Sequence, residues 1–122
     1  MQKQFRAILI DAKNKEVKEV IYSDLHSIYT LLNVDSIEIA SYLRNDDFIF
    51  VDEEGLLKEH NKDWFILHRA DDSMLQNGYF KGNGLVCHCD AEGDNTDCLY
   101  NVQAIKGMIT FIQESDIKID EM

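Results

Sequence analysis

The sequence predicts an α+β domain, a mainly antiparallel sheet of about six to eight strands with two short helices packed on it. Three observations lead there. Apolar runs of strand length recur along the 122 residues, most of them joined by turns of hairpin length. Only two stretches carry helix signals, too few for the crossovers of a doubly wound parallel sheet. The chain has no proline, no low-complexity tract and no linker-like composition. It therefore reads as one domain over 1–122, with a loose acidic tail over about 114–122.

Phe5-Arg6-Ala7-Ile8-Leu9-Ile10 opens as a strand whose apolar residues are too continuous for one exposed face. Asp11 to Lys15 turns the chain, and Val17, Val20 and Ile21 lie in the return strand. The stretch from Ser23 to Asn33 predicts a helix. Ser23 or Asp24 caps it, Leu25, Ile28, Leu31 and Leu32 share a face, and Asn33 ends it. Ser36–Ala40 and Asp47–Val51 alternate or run apolar as strands. Asp52-Glu53-Glu54-Gly55 then predicts a hairpin turn in which the glycine takes positive φ. Trp64–His68 is a further strand, 70–82 reads as loop, and Gly84–Asp90 returns to strand. Asp90-Ala91-Glu92-Gly93 repeats the earlier turn pattern. Thr96 or Asp97 caps a helix over 98–106, Gly107 stops it, and Met108–Ile112 is the last strand.

The formal net charge is −11 and is unevenly placed. Residues 1–22 carry five basic and three acidic side chains, a balance of +2; the remainder carries seven and twenty, −13. Such a surface repels nucleic acid, whose binding needs Lys and Arg to displace counterions. It suits a basic protein partner, including one that normally holds nucleic acid. No apolar run approaches the ~20 residues of a membrane span, and no secretory pattern opens the chain. An odd count of three cysteines, two of them at C-x-C spacing, favours a reducing cytoplasm.

All three cysteines lie in Gly84-Leu85-Val86-Cys87-His88-Cys89-Asp90-Ala91-Glu92-Gly93-Asp94-Asn95-Thr96-Asp97-Cys98. Cys87, His88, Cys89 and Cys98 are of zinc-ligand type, but an extended strand sends Cys87 and Cys89 to one face and His88 to the other. Neither a C-x-x-C nor an H-x(3–5)-H pair is present. For calcium, Asp90, Glu92 and Asp94 match the first three acidic places of an EF-hand loop. Its glycine, however, falls at 93, and Leu99 and Asn101 occupy its far end. Cys98 near a helix start, with His88 as base, would be a nucleophile only against the opposing charges of Asp94 and Asp97. The stretch thus reads as a core strand, a turn and a helix cap, with no metal and no cofactor. Phosphate-loop, nucleophile-elbow and zinc-protease motifs are absent.

Several stretches together resemble a family of small uncharacterised proteins borne by phages and plasmids. They are the hairpin ILIDAKNKEVKEV, the segment LHSIYTLLNVDSIEIA, the turn FVDEEGLLK, and GNGLV followed by D-x-E-G. The resemblance spans roughly residues 7–97 and implies a mobile-element accessory gene without a transferable activity or site residue.

Acidic, small and without a catalytic motif, the chain is expected to be a binding protein rather than an enzyme. It would occupy a basic surface on a host protein such as a nucleic-acid-handling or defence enzyme. Asp46, Asp47, Asp52, Glu53 and Glu54, with Asp90, Glu92, Asp94 and Asp97 on the second turn, are its candidate contacts, and the two hairpin turns form one acidic edge if they share an end. The alternative is a module that sequesters a nucleotide through Gly78–Gly84. There Tyr79 and Phe80 would stack on a base, Lys81 would supply charge, and Asn83 would add hydrogen bonds, with a homo-oligomer compatible with either reading.

Overall fold

The computed structural model describes residues 3–68 and 78–117. Its strands are β1 (Phe5–Asp11), β2 (Glu16–Tyr22), β3 (Ile37–Tyr42), β4 (Phe48–Asp52), β5 (Asp63–Leu67), β6 (Gly78–Lys81), β7 (Gly84–Cys89), β8 (Asn95–Thr96) and β9 (Ile109–Gln113). The helices are α1 (Leu25–Leu32) and α2 (Val102–Met108), and short 3-10 turns occupy Gly55–Leu57 and Glu114–Asp116. The larger sheet runs β2-β1-β7-β4-β3 with β8 added beside β7, and the smaller runs β6-β5-β9. Every pairing is antiparallel, so the α+β expectation holds.

Both faces of the large sheet are covered, which explains the unbroken apolar run of β1. Ile8, Ile10, Ile49, Val51 and Val86 project toward Phe65 and Leu67 of the small sheet and Ile105 of α2. Ala7, Leu9, Leu85, Cys87 and Phe48 project the other way, against Tyr22 and against Ile28 and Leu32 of α1. Successive residues of a strand face opposite sides, so a strand buried on both must be apolar at every position. At Gly84 a methyl group would lie 2.9 Å from a Phe65 ring carbon and 3.1 Å from Ile49. The close approach of the two sheets depends on that missing side chain.

Helix α1 forms as its sequence predicts. The Asp24 side chain accepts from the Ser27 amide, the Ser27 side chain closes a capping box, and Asn33 ends the helix in the left-handed region at φ 58°. Leu25 alone departs from the expected face: it is 54% exposed.

Four local expectations are corrected. The Asp52–Gly55 segment is not a hairpin: β4 pairs with β3 and β7, whereas the next strand, β5, belongs to the other sheet. Gly55 has no positive φ; it is needed because a side chain there would meet the Lys81 carbonyl at 2.9 Å. Gly93, in the second turn, does take positive φ, at 86°. Helix α2 starts at Val102 with Asn101 as its cap, Thr96 lies in β8, and Gly107 sits inside the helix. Of the predicted loop over 70–82, Gly78–Lys81 is a strand, and 70–77 lies outside the described residues. The tail expected to be loose from 114 begins anchored: Glu114 bonds the Lys62 ammonium at 2.9 Å and the Lys81 ammonium at 3.2 Å.

Gly84→Ala is expected to destabilise the fold by about 1–3 kcal/mol through overpacking between the sheets. Gly107→Ala, in a helix with open space around it, should stabilise by roughly 0.5–1 kcal/mol. Urea denaturation of the two variants beside the parent checks both signs.

Candidate functional site

Register along the large sheet decides which polar groups meet. Strand β4 runs against β7 with Phe48 opposite Cys87 and Val51 opposite Gly84. The turn before β4 and the turn after β7 therefore share one end of the sheet. Asp52, Glu53 and Glu54, which follow β4, lie at the opposite end, beside the start of β7. The two acidic turns do not form a single edge, because the strands between them are antiparallel neighbours.

Asp47 was a candidate partner contact, but it is fully buried. Its carboxylate accepts hydrogen bonds from His88 Nδ1 at 2.8 Å, from the Leu99 amide at 3.0 and 3.1 Å, and from the Tyr100 amide at 3.0 Å. An ionised carboxylate only accepts, so Nδ1 of His88 carries the proton in this bond. Asp47 thus ties together the β3–β4 turn, β7 and the segment after β8. This pairing, a structural role, was missed at the level of sequence: forty-one residues separate the partners and no motif links them.

The surface above this buried network is acidic. Asp46, in the left-handed region at φ 70°, and Asp90, Glu92, Asp94 and Asp97 are all exposed. One carboxylate oxygen from each of Asp90, Glu92 and Asp94 lies within 4.8 Å of the others. The turn gathers them because Asp90 Oδ1 accepts the amides of both Glu92 and Asp94, and Gly93 supplies the positive φ. Asp97 accepts the Arg6 amide at 2.8 Å. Two large apolar side chains stand at the same end: Leu99 is 59% exposed and Tyr42 60%. Arg44 and the partly buried Arg6 are the positive charges nearby in the chain and fold, the latter 3.4 Å from Glu19.

The opposite end is built differently. Asp52 is buried and paired to Lys58 at 2.6 Å, a hydrogen bond that raises the Lys58 pKa, so it is not a free contact residue. Glu53 and Glu54 are exposed. The residues suggested for nucleotide stacking do not converge. Phe80 packs on Phe65 with ring centres 5.3 Å apart, Tyr79 is half-buried in β6, and the buried Lys81 ammonium is held by Glu114. Asn83 of that group borders an open pocket.

Cys87 and Cys98 are buried free thiols and Cys89 is a half-buried one. Cys87 belongs to the core under α1 and Cys98 to the core between the sheets. Burial pushes the Cys87 thiol far above its ordinary range and lifts Cys98 to about 11, against the opposing pull of Arg6. Cys89 is raised by burial and by the negative charges of Asp90 and Asp94. Cys98 also lies ahead of α2 rather than at its start, which removes the dipole that would lower its pKa. Among the described residues, the group of three or more acidic, histidine or cysteine ligands that converges is Asp90, Glu92 and Asp94, not the cysteines.

A family model described as a domain of unknown function (DUF3846) matches residues 5–110. No curated protein and no solved structure matches the chain.

Asp47→Ala is expected to cost roughly 3 kcal/mol, since it leaves buried donors without their acceptor. Glu92→Ala, on the exposed turn, should stay within about 0.5 kcal/mol of the parent by thermal melting. In native protein an alkylating reagent should label Cys89 slowly and leave Cys87 and Cys98 unmodified until denaturant is added. Mass spectrometry of the labelled chain reads the difference.

Proposed function

This chain belongs to the DUF3846 family, and from that premise we propose that it is a small binding protein whose acidic end docks on a basic protein surface. The observation that carries the reading is the convergence of Asp90, Glu92 and Asp94 within 4.8 Å on an exposed, hydrogen-bonded turn. Asp46 and Asp97 extend the negative surface, and Leu99 and Tyr42 add exposed apolar area beside it. Charge alone steers encounter, whereas apolar anchors with a charged rim hold a partner after encounter. The partner chemistry is a Lys- and Arg-rich groove, of the kind that holds a phosphate backbone. A nucleic-acid-handling or defence enzyme of the host fits that description, with this chain as a mobile-element accessory factor that competes for the groove. Direct nucleic-acid binding is disfavoured by the same charge.

Asp52 is excluded from the contact surface by its ion pair, and Glu53 and Glu54 by their place at the far end. The proposal therefore predicts an asymmetry between the turns. Capture of a basic protein from bacterial lysate should weaken strongly for a variant carrying Asp90→Asn, Glu92→Gln and Asp94→Asn. It should persist for Glu53→Gln with Glu54→Gln, and should fall steeply as salt rises. Salt-insensitive capture, or equal loss from both variants, would overturn the assignment.

A further inference from the structure

A pocket of about 380 Å³ opens at the end of the large sheet remote from the acidic turn, within the size range of small-molecule sites. The β1–β2 turn, the end of α1, the β4–β5 crossover and the β6–β7 turn wall it in. Its polar lining includes two asparagines whose side-chain oxygens are already used. Asn83 Oδ1 accepts the Ala12 amide at 2.8 Å, and Asn61 Oδ1 accepts the Asp63 amide at 3.0 Å. A backbone N–H can bond only the oxygen of an Asn side chain, so both side-chain amides are fixed in orientation and keep their nitrogens for other partners. Neither nitrogen has a hydrogen-bond acceptor among the described residues.

Of the two carboxylates in the same wall, Asp52 is neutralised by a cation and Asp63 is bonded by a neutral amide. Asp52 bonds Lys58 and the Glu54 amide, and Asp63 accepts from Gln113 at 2.7 Å. Lys13 has no ion pair among the described residues and adds a full positive charge to the rim. Leu32 and Val34, from the end of α1, supply an apolar side. Gly82 keeps the opposite side clear: its φ is 95°, and a side chain there would lie 3.3 Å from the Asn61 nitrogen.

We propose that this pocket binds a small phosphate monoester of nucleotide size. Lys13 and the side-chain nitrogens of Asn61 and Asn83 take the phosphate, and the organic portion lies against Leu32 and Val34. A phosphate brings three strong acceptor oxygens, matching a wall with surplus donors. The site lies away from the acidic end and shares Gly82 and Asn83 with the loop first suspected of holding a nucleotide.

The test is an NMR titration of the isotope-labelled full chain with adenosine 5′-monophosphate, inorganic phosphate and adenosine. The monophosphate should give saturable shifts at Lys13, Asn61 and Asn83, and adenosine should bind at least ~10-fold more weakly. Asn83→Asp keeps the acceptor for Ala12 but replaces the donor with a negative oxygen. It should weaken monophosphate binding at least ~10-fold, as should Lys13→Glu on the exposed turn, with melting temperatures unchanged. Phosphate binding at the same residues also supports the site. Absence of saturable shifts with either anion, equal affinity for adenosine, or parental binding by a folded Asn83→Asp or Lys13→Glu variant would overturn it.

Discussion

Burial of the central strands on both faces is the constraint from which the rest follows. β1, β7 and β4 lie between α1 on one side and the small sheet with α2 on the other. Their central positions are apolar or, at Gly84, lack a side chain, and the polar Arg6, Asp11, Asp52 and His88 fall toward the strand ends. A one-residue slip would exchange the two faces, so register is strongly specified by the shapes that meet them. Polar chemistry is consequently confined to the two ends of the large sheet, where turns and crossovers emerge.

Among the described residues, Asp47 is the buried polar one with no exposure at all, and it organises an end of the sheet. Asp47 accepts from two successive backbone amides and an imidazole, which satisfies its carboxylate while fixing the path of residues 99 and 100. Leu99 is exposed because its own amide is held inward by this bond. The acidic turn beyond β7 is stiffened separately, by Asp90 accepting two amides of its own loop. Preorganisation of this kind reduces the entropy lost when such a surface meets a partner. The end that carries the charge is thus also the end with the densest side-chain-to-backbone bonding.

Local patterns in the sequence were legible where local physics decides. Asp24 and Asn33 mark the ends of α1, and Gly93 marks a turn, because capping and positive φ are properties of a few neighbouring residues. The repeated D-x-E-G pattern misled for the same reason. Around Asp90 it is a turn, but around Asp52 the chain leaves one sheet for another, and Gly55 is required by the distant Lys81 carbonyl. The burial of Asp47 and the pairing of Lys81 with Glu114 depend on contacts across forty-one and thirty-three positions. No spacing rule reports such contacts. The strength of the acidic signal was readable from composition; which carboxylates share an end needed the register of β4 against β7.

That register also separates the two ends electrically. Gly84 to Cys89 spans six residues, about 20 Å of extended strand, between the turn bearing Asn83 and the turn beginning at Asp90. At physiological ionic strength exposed charges are screened over ~8 Å. The charge of the turn beyond β7 is therefore screened from the remote pocket, where Asp52 is paired with Lys58 and Glu53 and Glu54 lie on exposed surface. It follows that occupancy of one end has little direct electrostatic effect on the other. β7 joins the two ends as a strand paired on both sides and packed on both faces, an arrangement that resists local opening.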